Sequence, residues 1–236
     1  MSTVIASVDR RSPAQLAGIK PGEQLLTING HEIIDVLDYR FYGYDADSHL
    51  TLREPNGAQR AVHIRKQEGQ DLGLNFDTYL MDEMRSCANH CIFCFVDQMP
   101  PGMRQTLYFK DDDARLSFLL GNYITLTNLT EREAQRIIDL HICPINVSVH
   151  TTDPQLHCTM LGNKNAGRSL EYIRAFCKAG IVMNGQIVIC PGWNDGDQLR
   201  RTLRDLTDWE FSSCSLVPVG ITKYRKGLAK LRPVDA

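Results

Sequence analysis

The chain has 236 residues, 43% apolar and 23% charged, the balance of a soluble globular protein with room for one large domain or two modest ones. A formal net charge of -2 provides no basic field for nucleic acid and no pull toward an anionic membrane, and no apolar run approaches the roughly eighteen residues that span a bilayer. Eight cysteines without an apolar leader imply a reducing, cytoplasmic setting, where thiols serve metal or redox chemistry rather than disulfides.

Val4–Val8 is predicted as a short strand, and Ser12–Gly18 as a capped helical turn stopped by glycine. Pro21-Gly22 makes a turn, Leu25–Ile28 a strand, and Asn29-Gly30 a strong hairpin turn. Ser48–Arg53 and Ala61–Lys66 read as strands joined through Pro55-Asn56-Gly57. The Ser12-Pro13-Ala14 block, the glycine after it and the Pro-Gly turn running into Ile28-Asn29-Gly30 resemble a PDZ domain, with Glu23 where that family has aspartate. Residues 1–76 are therefore expected to form a small β-rich PDZ-like domain. The resemblance implies a Gly-Leu-Gly-Phe-like loop whose amides hold a peptide carboxylate beside an open strand edge. Gln70-Asp-Leu-Gly-Leu-Asn-Phe76 offers such a stretch at the far end of the block. Two readings stand there: a permuted PDZ domain with its loop near Leu72–Leu74, or a linker strand into the next domain. Either way the unit is a binding module, its ligand a peptide or this chain's own C-terminus.

From Asp77 onward strands alternate with helices, the mark of βαβ construction and a parallel sheet. Thr78–Met81 is predicted as the first strand, leading into Cys87-Ala-Asn-His-Cys91-Ile-Phe-Cys94. Clustered thiolates are soft ligands that select zinc, copper(I) or iron–sulfur. Structural zinc and ordinary electron-transfer clusters take four ligands, and no fourth cysteine is near, Cys143 being the next. A Cys3His zinc site using His90 would need adjacent ligands in a tight loop to close a tetrahedron. Three thiolates on a 4Fe–4S cube would instead leave one iron open. The three-then-two spacing, with Phe93 before the last cysteine, resembles the radical S-adenosylmethionine (SAM) enzymes.

Asp111-Asp112-Asp113 places acids at the start of a helix over Ala114–Leu120, where the dipole favours them. Strand two is expected at Tyr123–Asn128. A capping box, Thr130 to Glu133, then opens a helix with Ala134, Ile137 and Ile138 inward. Strand three is Ile145–His150, followed by a helix over Ser169–Ala179 that stops at Gly180. Strand four is Val182–Cys190, Asn194-Asp195 caps a helix carrying Leu199, Leu203 and Leu206, and strand five is Ser213–Val219. Along these strands polar residues alternate with apolar ones: Thr125 and Thr127, then Asn146, Ser148 and His150, then Asn184 and Gln186. A barrel lumen lined this way is not a dry core, because unpaired buried polar groups each cost a few kcal/mol, roughly 1–3 by mutational measures. It calls for water or a polar ligand.

The radical SAM resemblance implies an incomplete parallel barrel over residues 77–236, with the cluster loop after strand one. It implies a 4Fe–4S cluster on Cys87, Cys91 and Cys94, SAM on the open iron, and an electron donor protein. The usual Gly-Gly-Glu after strand two is absent, Leu126-Thr127-Asn128 standing in its place, so Thr127 and Asn128 become the candidates for the methionyl amino group. Ser148, His150 and Gln186 are the candidates for its carboxylate and ribose. Val217-Pro-Val-Gly220 resembles the segment along adenine, and Phe93 sits inside the cluster motif. Cys190, at the end of strand four, is either a hydrogen-atom donor to a substrate radical or a small core residue. The whole arrangement resembles the PDZ-bearing radical SAM proteins of domain-of-unknown-function family 512, whose members extend further, and Lys230–Ala236 reads as a cut. The implied activity is reductive cleavage of SAM to a 5′-deoxyadenosyl radical acting on a substrate the residues do not specify. The alternatives are a PDZ adaptor with a non-catalytic iron–sulfur sensor, and a zinc-stabilised interaction domain.

Overall fold

The computed structural model describes residues 3–234, in two compact units that divide between Met84 and Arg85. The first unit holds β1 (Ile5–Val8), α1 (Pro13–Leu16), β2 (Gln24–Ile28), β3 (His31–Glu32), α2 (Val36–Tyr42), β4 (Asp47–Arg53), β5 (Gln59–Arg65) and β6 (Leu74–Phe76). An antiparallel sheet in the order β3-β2-β4-β5 forms the body, and β1 pairs with β6. Strict alternation builds the core: Leu50 and Leu52 of β4 and Val62 and Ile64 of β5 point inward with Leu25 and Ile28, while their neighbours face water. Asn29 and Gly30 take φ of 51° and 81°, the paired positive values that a two-residue hairpin between β2 and β3 needs. Ser12 caps α1 by accepting from the Gln15 amide, with Pro13 at the first turn.

Glu23, the departure from the PDZ pattern, has a structural use. Its carboxylate receives a bidentate bond from Arg60, Nε to Oε1 at 2.7 Å and Nη2 to Oε2 at 2.9 Å, and also accepts from the Lys20 amide. The helix α2 was not anticipated; Asp35 caps it by accepting from the Leu37 amide. The strand expected at Thr78–Met81 is a turn instead. Met81 adopts φ of 68°, and Leu80 and Met81 are buried, so burial rather than pairing fixes the segment.

The second unit contains α3 (Ala114–Leu120), α4 (Glu131–Asp139), β7 (Ile145–Ser148), α5 (Pro154–Leu161), α6 (Gly167–Lys178), β8 (Met183–Ile189), α7 (Gly196–Asp208) and β9 (Ser213–Pro218). β7, β8 and β9 form a parallel sheet in that order, an open, partial barrel with helices between its strands. The expected strand at Tyr123–Asn128 is reduced to one parallel bridge, Ile124 to Val147. Leu126 adopts φ of 61° and its carbonyl accepts from the Leu129 amide, so the chain turns where the strand should continue. The α5 helix was missed although its signals are plain: Asp153 accepts from the Gln155 and Leu156 amides, Pro154 opens it, and Gly162 ends it.

The expected two faces of the sheet are present. Ile145, Val147, Met183 and Ile187 are buried. Asn146, Asn184 and Gln186 are half-buried on the opposite face. There the register aligns Asn146, Asn184 and Ser213, which join across the strands at 3.0 and 2.7 Å. The polar side chains thereby satisfy part of one another's hydrogen bonding. Among the described residues no helix is long and apolar enough to cross a membrane.

Candidate functional site

The loop from Cys87 to Cys94 has little regular structure, and its neighbours hold it by the backbone. The Cys87 amide donates to the Lys110 carbonyl at 2.7 Å, and the His90 and Ile92 amides donate to the Leu161 and Met160 carbonyls at 2.9 Å. Those last two acceptors lie at the C-terminal end of α5, where carbonyls lack partners within the helix. Gly162 permits the approach: a Cβ there would stand 2.3 Å from the His90 carbonyl oxygen. All three cysteines are free and half-buried.

Burial raises the thiol pKa of Cys87, Cys91 and Cys94, and for Cys91 the two flanking cysteines add to the effect. Three crowded thiols of this kind ionise readily only when a cationic group takes up their charge. Lys110 provides some of that charge; burial works against its protonation, but Asp97 at 2.5 Å and the sulfurs of Cys94 and Cys87 outweigh it. This soft, unpaired donor set on one loop fits a thiolate-ligated metal group.

Beneath the loop lies a polar floor. Asn89 is 2% exposed. Its Nδ2 lies 2.9 Å from the hydroxyls of Thr125 and Thr127 and 3.4 Å from Cys87 Sγ. Its Oδ1 accepts from Thr127 and from Asn163 Nδ2, at 3.1 and 2.8 Å. Asp112, also buried, accepts from the amide and hydroxyl of Thr125, while burial pushes its carboxyl pKa up. Asn128 Nδ2 donates to the Asp112 carbonyl at 3.0 Å. Of the three acids expected at the helix start, Asp113 alone caps α3, and it also pairs with Arg115.

The other candidates gather at the C-terminal ends of the parallel strands, the usual place for sites in α/β folds. Ser148 ends β7, and His150 follows with φ of 58°. His150 is almost fully buried, and burial, with repulsion from His157, lowers its pKa to about 3. Its neutral ring accepts from the Val188 amide through Nδ1 and lies 4.4 Å from the Phe93 ring. Gln186 receives the Val149 amide on its carbonyl, leaving its half-buried side chain on the polar face. The Gly220 carbonyl accepts from Gln98 Nε2 at 3.0 Å, and Thr222 bonds Gln98 on its far side, so this segment is tied to the cysteine loop. Cys190 has no exposed surface; it packs with Met160 and Val219 against Ile92, Phe93 and Trp193, and burial raises its pKa to about 12.

Asn194 departs from its expected role as a helix cap. Its Oδ1 accepts from the Cys190 amide, and its Nδ2 donates to the His150 and Val188 carbonyls, binding the ends of β7 and β8 together. Asn89, Gln98 and Asn163 were also missed. Asn89 and Gln98 sit in or just after the cysteine motif, which was the available signal.

The chain is thus a β-rich module followed by an α/β partial barrel with a three-thiol loop at its strand ends. A Radical SAM-like domain model matches residues 66–215, well over half of the chain, and a PDZ domain model matches residues 4–53. The chain belongs to the Radical SAM-like domain family and carries a PDZ domain at its N-terminus. No curated protein matches it. A solved structure of a radical SAM methyltransferase from Sphaerobacter thermophilus is similar at 15% identity and a TM-score of 0.34, over 89% of this chain and 71% of that one.

Proposed function

We propose that the second unit is a radical SAM enzyme in which Cys87, Cys91 and Cys94 hold a 4Fe–4S cluster. The observation that carries the reading is three free thiols on one loop at the strand ends, inside a Radical SAM-like domain. When bound, the cluster supplies the electron that cleaves SAM and so generates the 5′-deoxyadenosyl radical that takes a hydrogen atom from substrate.

The remaining roles are proposed as follows, with Thr127, Asn128 and His150 moved from the SAM contacts expected of them to supporting positions because their polar atoms bond within the protein. Ser148 and Gln186 are assigned to the SAM carboxylate and ribose, and Gly220 to the adenine. Phe93 and His150 shape the wall between them. Thr127 and Asn128 act from beneath, fixing Asn89 and the Asp112 carbonyl. Cys190, enclosed in apolar packing, serves the fold. The PDZ unit captures a peptide C-terminus, this chain's own or another's, at the outer edge of β6, which among the described residues pairs with β1 alone. Its loop is closed in this state, because the Gly73 amide donates to the Asp71 carboxylate at 2.6 Å and the Leu74 amide to the Tyr39 hydroxyl at 3.3 Å. An arriving carboxylate would displace Asp71.

The test is anaerobic reconstitution of the full chain, followed by visible absorption, low-temperature EPR with and without SAM, and assay of 5′-deoxyadenosine after reduction. Wild type should bind about four irons per chain, respond to SAM in the EPR spectrum and release 5′-deoxyadenosine. Cys87→Ala, Cys91→Ala and Cys94→Ala should each abolish all three, with Cys143→Ala unchanged. A colourless protein with stoichiometric zinc would overturn the reading.

A further inference from the structure

We propose a second metal site, for a divalent transition ion, on the outer face of the PDZ unit, made by Asp47, His49 and His63. The register of one hairpin creates it. β4 and β5 pair so that His49 lies directly opposite His63, with Asp47 opposite Arg65. Asp47 and His49 are alternate residues of one strand and share a face. That face is the solvent side, since Ser48, Leu50 and Leu52 point into the core.

The side chains are already gathered. The two imidazole rings stack with centroids 4.3 Å apart and planes 6° from parallel. Both Nε2 atoms aim at one oxygen, Asp47 Oδ1, at 2.6 Å from His63 and 3.3 Å from His49. Arg65 approaches the other oxygen, Oδ2, at 3.6 Å, so it neutralises part of the carboxylate without standing between the imidazoles and Oδ1. All three donor atoms lie within 4.8 Å of one another.

This geometry is close to what an ion requires. Nitrogen and oxygen ligands at about 2.0–2.2 Å from a tetrahedral zinc-sized ion stand roughly 3.3–3.6 Å apart. Two imidazoles and a carboxylate favour zinc, nickel, cobalt or copper, whereas magnesium and calcium prefer oxygen-only shells. With three protein ligands on an open face, the remaining positions are available to water or an outside ligand. Without an ion the triad is an exposed polar cluster, a feature generally worth little to stability. The soft thiol loop and this imidazole–carboxylate site therefore differ in donor chemistry and stand independently.

The experiment uses the full chain with Cys87, Cys91 and Cys94 replaced by serine, so that the cluster thiols do not compete. Nickel chloride is titrated by calorimetry while histidine ring signals are followed by NMR. The parent should bind one ion with paramagnetic broadening centred on His49 and His63. His49→Gln or His63→Gln should weaken binding by at least roughly tenfold, a loss seen even for outer-sphere partners of metal ligands, with the circular dichroism spectrum unchanged. If the serine background does not fold, the same comparison in the unaltered chain carries the expectation as one ion fewer in the double variant that combines His49→Gln with His63→Gln. Equal stoichiometry and affinity in parent and double variant, or ring signals of His49 and His63 unaffected at saturating nickel, would overturn the proposal.

Discussion

Asn89 occupies a position where the cysteine motif leaves residue identity open, yet it joins Cys87, Thr125, Thr127 and Asn163 in one buried network. A buried polar network is valuable when every member is satisfied and costly when one is removed. Asn89→Ala strips partners from two threonines and an asparagine, so a loss of roughly 1–3 kcal/mol is expected. Because the same side chain steadies Cys87, iron retained after reconstitution should fall as well. Denaturant midpoints and iron content on one preparation check both. A variant with wild-type stability and full iron would show that the network carries neither the loop nor the thiol.

At the level of elements, the contact between the thiol loop and the end of α5 decides how the cysteines are presented. Two loop amides cap α5 carbonyls, and the close passage at Gly162 leaves no room for a side chain. Gly162 also has φ of 57°, which carries its own cost for any other residue. Gly162→Ala is therefore expected to push the loop off α5, costing at least about 1 kcal/mol and lowering iron occupancy. The local fold of the first unit should stay intact. Hydrogen exchange would show the pattern directly, with protection lost at His90 and Ile92 and retained in β4 and β5. Retained protection at His90 and Ile92 would mean that the loop holds its position without the glycine.

Across the whole molecule, two buried neutral histidines set an acid limit. Burial lowers His150 to about 3 and His157 to about 4, both below the ordinary value of 6.5. The unfolded chain therefore binds more protons than the folded one below pH 6.5, and stability rises with pH through that window. Stability is complete above about pH 6.5 and declines as pH falls toward 4, by up to about 1.4 kcal/mol per unit for each ring. The carboxylates held low by arginine, Glu133 beside Arg85 and Asp113 beside Arg115, matter only at lower pH, because their ordinary values are 4.5 and 3.8. Urea unfolding at pH 7, 6 and 5 isolates the histidines. His157→Gln should flatten the slope between these points, and an unchanged slope would assign it to other groups.

Local sequence determined whatever depends on short spacing. The cysteine motif, the Asn29-Gly30 turn, the capping box at Thr130 and the alternating faces of β7 and β8 all follow from residues within one turn or one strand, where periodicity and φ preference suffice. Tertiary structure decided what depends on partners far along the chain. Thr78–Met81 and Tyr123–Asn128 have strand-like composition, but strand formation needs a paired neighbour, and burial or a turn at Leu126 prevailed. Asn194 could satisfy a helix end or a pair of strands, and only the folded arrangement offered it three backbone partners. The Asp47–His49–His63 triad exists because a register fixed by buried Leu50, Leu52, Val62 and Ile64 brings the exposed residues of two strands opposite one another.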